Sequence, residues 1–421
     1  DALIREANEM LASDALTTQE AKDGLSKAIE AASGVGELTP EIYEEQTEAL
    51  NAAIKLGQES MDAAVALEDK AIVHSDRLSG TGEASYEAYV GTEGHGELET
   101  LVGEILDNKI ADVGIFATLD EISGYSVGLD KAYSKMLSAY VDFTAASKDE
   151  PVDATGLIVN PSFQTKKENE QGEIVDIQSG EGWTIESEYD MTGIKDAMLC
   201  EIYSDSSKVY QLLYNAPAGY YRVVLSGFYR AGGYIEAGVA HRDGTEARNA
   251  ELFIESGKGK WSEKLPSIFE NVSEWKYETS DVALPDSLFP ESDKLYHFIV
   301  DQPGGAKLAF EDGAYECDTY FYVGEGEVPV LGVRKTGMLT NDWSCFDNFR
   351  LYYLGDGDAN KPDGFVDSID GVAADGTAKV VSSAWYTING VRVAEPKQRG
   401  IYIRQDMMND GTKKTVKVLV K

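Results

Sequence analysis

Six side chains in this 421-residue sequence could act together in recognition: Tyr229, Arg230, Tyr234, Trp261, Trp275 and Trp343. Tyrosine and tryptophan rings present flat apolar faces with a polar edge, and a guanidinium presents five donors in one plane. That combination suits a polyhydroxylated ring. Aromatic faces take its C–H side, and a few charged or amide groups take its hydroxyls. Tyr229-Arg230-Ala231-Gly232-Gly233-Tyr234 leaves a strand-like run for a glycine turn, which suits a site at a loop edge. Trp261 and Trp275 fall in turn-rich segments, so at least one is expected at the surface. Trp183 and Trp343 read as core or strand-end packing, and Arg230 could equally pair with a carboxylate at a sheet edge.

Bond-breaking motifs are missing. The four histidines, at 74, 95, 241 and 297, have no second histidine three to five residues away, which argues against zinc hydrolase chemistry. No Gly-x-Ser-x-Gly elbow occurs. The Gly-rich run 79–96 lacks the Gly-Lys-Ser/Thr of a phosphate cradle, and the acidic residues Glu97 and Glu99 open the helix expected after it. It reads as a loop. Glycoside hydrolysis needs only two carboxylates, so composition is silent on it, but the loops look short for a catalytic cleft. The expectation is a protein that is not an enzyme.

The net charge of -37 excludes nucleic acid as a partner, because the acidic excess over residues 1–150 and 151–378 repels phosphate; only 379–421 is basic. Acidic surfaces also offer carboxylates to hard cations. Asp356–Asp367 carries oxygen ligands at the first, third, fifth and twelfth positions of a calcium loop. Lys361 stands where the sharp turn wants glycine, so a solvated linker is the preferred reading. Three cysteines, Cys200, Cys317 and Cys345, exclude a disulfide framework and leave one pair or buried thiols. No apolar run approaches the ~20 residues of a transmembrane helix. The chain begins at Asp1 rather than Met, which fits a removed leader.

These residues must be positioned by three kinds of element. Residues 1–147 are Ala-, Leu-, Glu- and Lys-rich with apolar recurrence at three and four, and predict a helical bundle. Leu25, Ala28 and Ile29 recur as Leu50, Ala53 and Ile54, a weak repeat that predicts two packed helices. Thr39-Pro40-Glu41 marks a helix start, and Thr17 with Glu20 a candidate capping box; further helices are expected over 97–110 and 118–146. From 155 to 356 aromatics, β-branched residues and turns dominate. Strands are expected at Leu157–Val159, Gln211–Tyr214, Tyr220–Arg230, Glu251–Glu255, Leu295–Val300, Tyr315–Val323, Val328–Arg334 and Phe346–Leu354. In Tyr220–Arg230, Tyr221, Val223, Leu225 and Gly227 share one face, and Arg222, Val224, Ser226, Phe228 and Arg230 the other. Phe346, Phe349, Leu351 and Tyr353 form the buried face of a closing strand. A linker, 357–378, precedes a small β-rich domain, 379–421, with a hairpin signal at Asn389-Gly390. The fold class is therefore multidomain α + β: a helical bundle, an antiparallel β-sandwich and a small C-terminal β domain.

Five short motifs carry a resemblance: Asn160-Pro161-Ser162-Phe163, Gly182-Trp183, Val209-Tyr210-Gln211, Ala218-Gly219-Tyr220-Tyr221-Arg222 and Phe346-Asp347-Asn348-Phe349-Arg350-Leu351. Their order and spacing resemble the galactose-binding-like jelly rolls found in carbohydrate-binding modules, of the type abundant in Bacteroidetes surface proteins. The tail, with Tyr386–Val393 and Lys417–Lys421, resembles the C-terminal sorting-type domain of exported proteins from the same bacteria. The resemblance implies a secreted or cell-surface, outer-membrane-associated protein that binds a glycan or polysaccharide. It also implies a structural Ca²⁺, with Asp347 on the closing strand and Asn160 near the opening one as candidate ligands. The alternative is an adhesion or assembly subunit that binds other surface proteins through the bundle, with the sandwich as spacer. A glycoside hydrolase ranks last.

Overall fold

The computed structural model describes residues 2–15, 17–36, 39–80, 85–110, 116–168, 173–366, 380–387, 392–393, 400–408 and 413–420. Helices precede a β-rich region, so the class is mixed α + β. The N-terminal helices are α1 (Ala2–Leu11), α2 (Gln19–Ser33), α3 (Pro40–Leu78), α4 (Glu93–Gly103) and α5 (Leu119–Leu137). Thr39 caps α3 by accepting from the Ile42 N–H, with Pro40 in the first turn, as its sequence predicts. The cap of α2 is Thr18, one residue later than expected, because the Thr17 carbonyl is taken by the Phe116 N–H. The repeat predicts correctly that Leu25 and Ala28 share a cluster with Leu50 and Ala53. Helix α4 starts at Glu93, inside the glycine-rich run, since Thr92 accepts from the His95 N–H. Gly94 is required there: a Cβ would lie 2.3 Å from the Met136 nitrogen of α5.

Fifteen strands follow up to residue 355 among the described residues. They are β1 (Val152–Asp153), β2 (Gln164–Glu168), β3 (Ile174–Gln178), β4 (Thr184–Ser187), β5 (Thr192–Lys195), β6 (Leu199–Tyr203), β7 (Ser207–Leu212) and β8 (Gly219–Arg230). Then come β9 (Ala250–Ser256), β10 (Gly259–Lys264), β11 (Val282–Ala283), β12 (Phe298–Ile299), β13 (Glu316–Val323), β14 (Val330–Lys335) and β15 (Trp343–Gly355). One antiparallel sheet runs β13-β8-β15-β6-β5, with β1 against β15; a second runs β10-β9-β14-β7-β4. Their inner faces share one core, to which Tyr221, Leu225 and Phe346 contribute from the first sheet, and Val209, Leu252 and Leu331 from the second. Gly332 lets β14 lie against β7, because a Cβ there would sit 2.0 Å from the Val209 carbonyl oxygen.

Two expectations change in detail. Leu157–Val159 is not a strand: a tight turn covers Thr155–Leu157, and the Thr155 hydroxyl accepts from the Leu351 N–H where a strand would have offered a carbonyl. On β15 the spacing of three between Phe346 and Phe349 is a bulge, with the register shifting between Asp347 and Arg350 and Asn348 at φ 57°. It keeps both phenylalanines in the core.

The outer face of the first sheet is also covered. Helices α6 (Tyr234–Arg242) and α7 (Pro303–Glu311), with the irregular segment 266–300, form a second core over Phe228, Trp343 and Cys345. Of the expected strand Leu295–Val300, only Phe298–Ile299 is extended and paired.

The helices join the two-sheet body at the Gly219 end of β8. Ser134 donates to the Tyr214 carbonyl at 2.9 Å, Asn215 donates to the Lys131 carbonyl at 2.8 Å, and the Phe143 ring meets Tyr353. Residues 357–366, expected to be linker, pack at the same end: Phe365 lies against Tyr220 and Trp261, and Trp261 Nε1 donates to the Val366 carbonyl at 2.8 Å. Beyond this segment, strands Val380–Thr387, Arg392–Val393, Gly400–Met408 and Lys413–Val420 form an antiparallel sheet. The hairpin signal Asn389-Gly390 lies outside the described residues.

Candidate functional site

Antiparallel pairing sets Tyr203, Trp343 and Arg230 in one row across β6, β15 and β8, on the outward face. Tyr234 follows on the first turn of α6, after a bend at Gly232, whose φ of +110° excludes most side chains. Asp301 and Gln302 arrive just before α7, where the helix N-terminus favours a carboxylate. With Lys195, Glu201 and the rim Asp190–Thr192, these residues line a cavity of about 460 Å³.

Arg230 is 5% exposed and sits between two rings, with its guanidinium carbon 4.4 Å from the Tyr234 centroid and 5.2 Å from that of Trp343. Its Nη2 donates to the Asn341 carbonyl at 3.4 Å, and its Nη1 lies 3.5 Å from Asp301 Oδ1. Nε and Nη1 are buried without a hydrogen-bond partner. Such a group is costly unless something accepts from it. Around it the polar groups are engaged. Tyr234 donates its hydroxyl to Asp301, Trp343 Nε1 donates to Glu201 at 2.7 Å, and Lys195 pairs with Glu201 at 2.9 Å.

Two buried carboxylates hold the walls. Asp205 accepts from the Ser187 and Thr192 hydroxyls and from the N–H groups of Glu188, Tyr189 and Met191, fixing the rim that carries Asp190. Burial alone would raise its pKa, but these hydrogen bonds outweigh it and bring the value down to about 2. Asp342 pairs with Lys335 at 2.5 Å with neither side chain exposed, and also accepts from the Tyr229 hydroxyl and the Leu339 N–H. That network fixes the loop whose Asn341 carbonyl receives Arg230.

The structure thus brings Arg230, Tyr234 and Trp343 together and separates the other three. Tyr229, one residue from Arg230, points to the opposite face and is fully buried in the core, so it is not a loop-edge residue. Trp261 is 4% exposed at the other end of the body, with its indole held by Val366. Trp275 is 60% exposed, on the outer segment beside Tyr277. The ring faces of Tyr234 and Trp343 are turned to Arg230, so the aromatics clamp a cation here. Lys195, Glu201, Tyr203, Asp301 and Asn341 were not anticipated. The alternation Leu199-Cys200-Glu201-Ile202-Tyr203 would have placed Glu201 and Tyr203 opposite the buried Cys200 and Ile202. Nothing local marks Asp301.

The candidate calcium ligands serve the protein itself. Asp347 Oδ2 binds the Lys307 ammonium at 2.5 Å, which puts a cation beside that carboxylate already. The Asn160 amide donates to the Ser179 carbonyl and accepts from the Gln164 N–H. Among the described residues no group of three or more His, Cys, Asp or Glu side chains could hold a metal ion. In the calcium-like loop, Asp356 accepts from the Tyr322 hydroxyl and the Gly357 N–H, and Asp367 lies outside the described residues. The three cysteines are free and buried, with burial pushing the Cys317 thiol up to about 12.

A larger cavity, about 640 Å³, lies between α3, α5 and the second sheet. Four of its charged groups are paired internally: Arg77 binds Glu181 through two bonds of 2.6 and 2.8 Å, and Lys70 binds Asp130 at 2.6 Å. It reads as the seam between helices and body. No described helix is long and apolar enough to cross a membrane. No protein-family model matches the chain, and no curated protein matches it either.

Proposed function

We propose that this protein is a non-enzymatic, exported or cell-surface glycan-binding protein, whose two-sheet body is a galactose-binding-like jelly roll. Arg230 carries the reading: a guanidinium nine-tenths buried, held between two rings in the wall of a cavity, its Nη1 facing Asp301 and its Nε without a hydrogen-bond partner. Sugar hydroxyl oxygens accept from such donors. Binding fits better than cleavage, because Glu201 and Asp301 are each engaged by cations and donors, whereas a catalytic acid must hold a proton for its leaving group. The protein-docking alternative has less support. The exposed apolar residues of α3, Val65, Ile72 and Val73, are interleaved with exposed Asp62, Asp69 and Asp76.

Affinity electrophoresis of the full chain through gels containing plant and host polysaccharides tests this. At least one polysaccharide is expected to retard the protein. Arg230→Ala should weaken that binding by about 1.5–3 kcal/mol, the scale of hydrogen bonds from a charged donor. Lys195→Ala, at a half-buried position, is the check against a folding artefact. Retardation by no polysaccharide, or retardation untouched by both variants, sinks the proposal.

A further inference from the structure

Resting on that reading, we infer that the Arg230 cavity selects a neutral sugar presenting adjacent hydroxyls and rejects acidic glycans. The cavity is lined by three carboxylates, Asp190, Glu201 and Asp301, against two cations, Lys195 and Arg230. An anionic ligand drawn to the charge of Arg230 would meet Asp301, which lies 3.5 Å from the same guanidinium. It would also meet Glu201, held against Trp343 in the wall. The like charges lie in a partly desolvated site where screening is weak. A hydroxyl avoids this conflict, being at once acceptor and donor. A hydroxyl in the cavity can turn its oxygen to the Arg230 guanidinium and its proton to a lone pair of Asp301 or Glu201, which line the same wall. An adjacent hydroxyl can repeat the arrangement. A carboxylate satisfies only the donors, and an ammonium only the acceptors.

The test compares neutral polysaccharides (galactomannan, xyloglucan, β-glucan, glycogen) with acidic ones (polygalacturonate, hyaluronan) in the same gels, at low and moderate salt. The full chain should be retarded by a neutral polymer at least tenfold more strongly than by either acidic one, with little change on adding salt. Asp301→Asn and Asp190→Asn should each raise retardation by polygalacturonate. Asp190 is exposed, so its variant serves if the other does not fold. Stronger retardation of the wild-type chain by an acidic polymer overturns the selectivity while leaving glycan binding intact. Neutral and acidic polymers bound alike, or acidic binding unchanged in both variants, also overturns it. Retardation by none removes the selectivity and the glycan reading together.

Discussion

Asp347 shows how much one buried side chain can set. It is 1% exposed, and its Oδ1 has no hydrogen-bond partner. Burial raises its pKa to about 6, even though the Lys307 ammonium pulls it down. A carboxyl whose folded pKa exceeds its unfolded value binds its proton more tightly in the fold. Its contribution to stability is full below about pH 4 and is lost as pH rises through about 6, amounting to as much as about 3 kcal/mol. Asp347→Asn should remove that contribution, so the denaturant midpoint of the wild type relative to the variant should fall steadily from pH 4 to 7, whatever other groups add to both profiles. A difference that stays constant over this range would show that Asp347 titrates normally. At this scale the sequence was readable wherever alternation governs. The period of two on β8 separates Tyr229 from Arg230, and it buries the first in the core while leaving the second facing the cavity. Asp301 was not readable, because its partner Arg230 is 71 positions away and is reached only by folding.

Among elements, the rim Ser187–Thr192 is the least regular wall of the cavity and depends on one acceptor. Asp205→Asn keeps the shape but trades a charged acceptor of five bonds for an amide. It should cost about 1–3 kcal/mol of stability and loosen the rim. Denaturant unfolding and amide exchange at Tyr189 and Met191 measure both effects; unchanged exchange at those amides would remove Asp205 from this role. Its depressed pKa has the opposite sign to that of Asp347: the stability it gives is present above about pH 4 and fades as pH falls through about 2. Strands and the main helices follow from periodicity and caps. The outer layer did not, since α6 and α7 are nine residues each and glycine-bearing, too short to show a clear helical period. One trace was present: β8 carries apolar Val224 and Phe228 on the face opposite Tyr221, and a strand apolar on both faces is covered on both.

At the scale of the whole molecule, the seam decides whether helices and body move together. Arg77, from α3, reaches Glu181 of the body and also donates to the Tyr86 hydroxyl, which shares a 2.8 Å bond with His74 Nδ1. Burial lowers the His74 pKa to about 4, so the imidazole is neutral in the fold. Stability from this group is therefore full above about pH 6.5 and lost as pH falls through about 4. Arg77→Met should strand Glu181 at the seam and cost about 1–3 kcal/mol. It should also split thermal unfolding into a helical and a sheet transition, read by far-UV and near-UV circular dichroism. A single, unshifted transition would show that the seam does not couple the two parts.

Tyr220 and Arg230 stand at opposite ends of β8, ten residues and roughly 33 Å apart at about 3.3 Å per residue. The helices and the segment ending at Val366 both grip the Tyr220 pole, whereas the cavity opens at the other. A pull on the chain beyond Val366 therefore loads the Trp261 indole and the edge of the second sheet first. If the cavity holds a polymer as proposed, its drag would enter at the far pole and travel lengthwise down β8, so load between the two poles would run along the strand that pairs with β13 and β15.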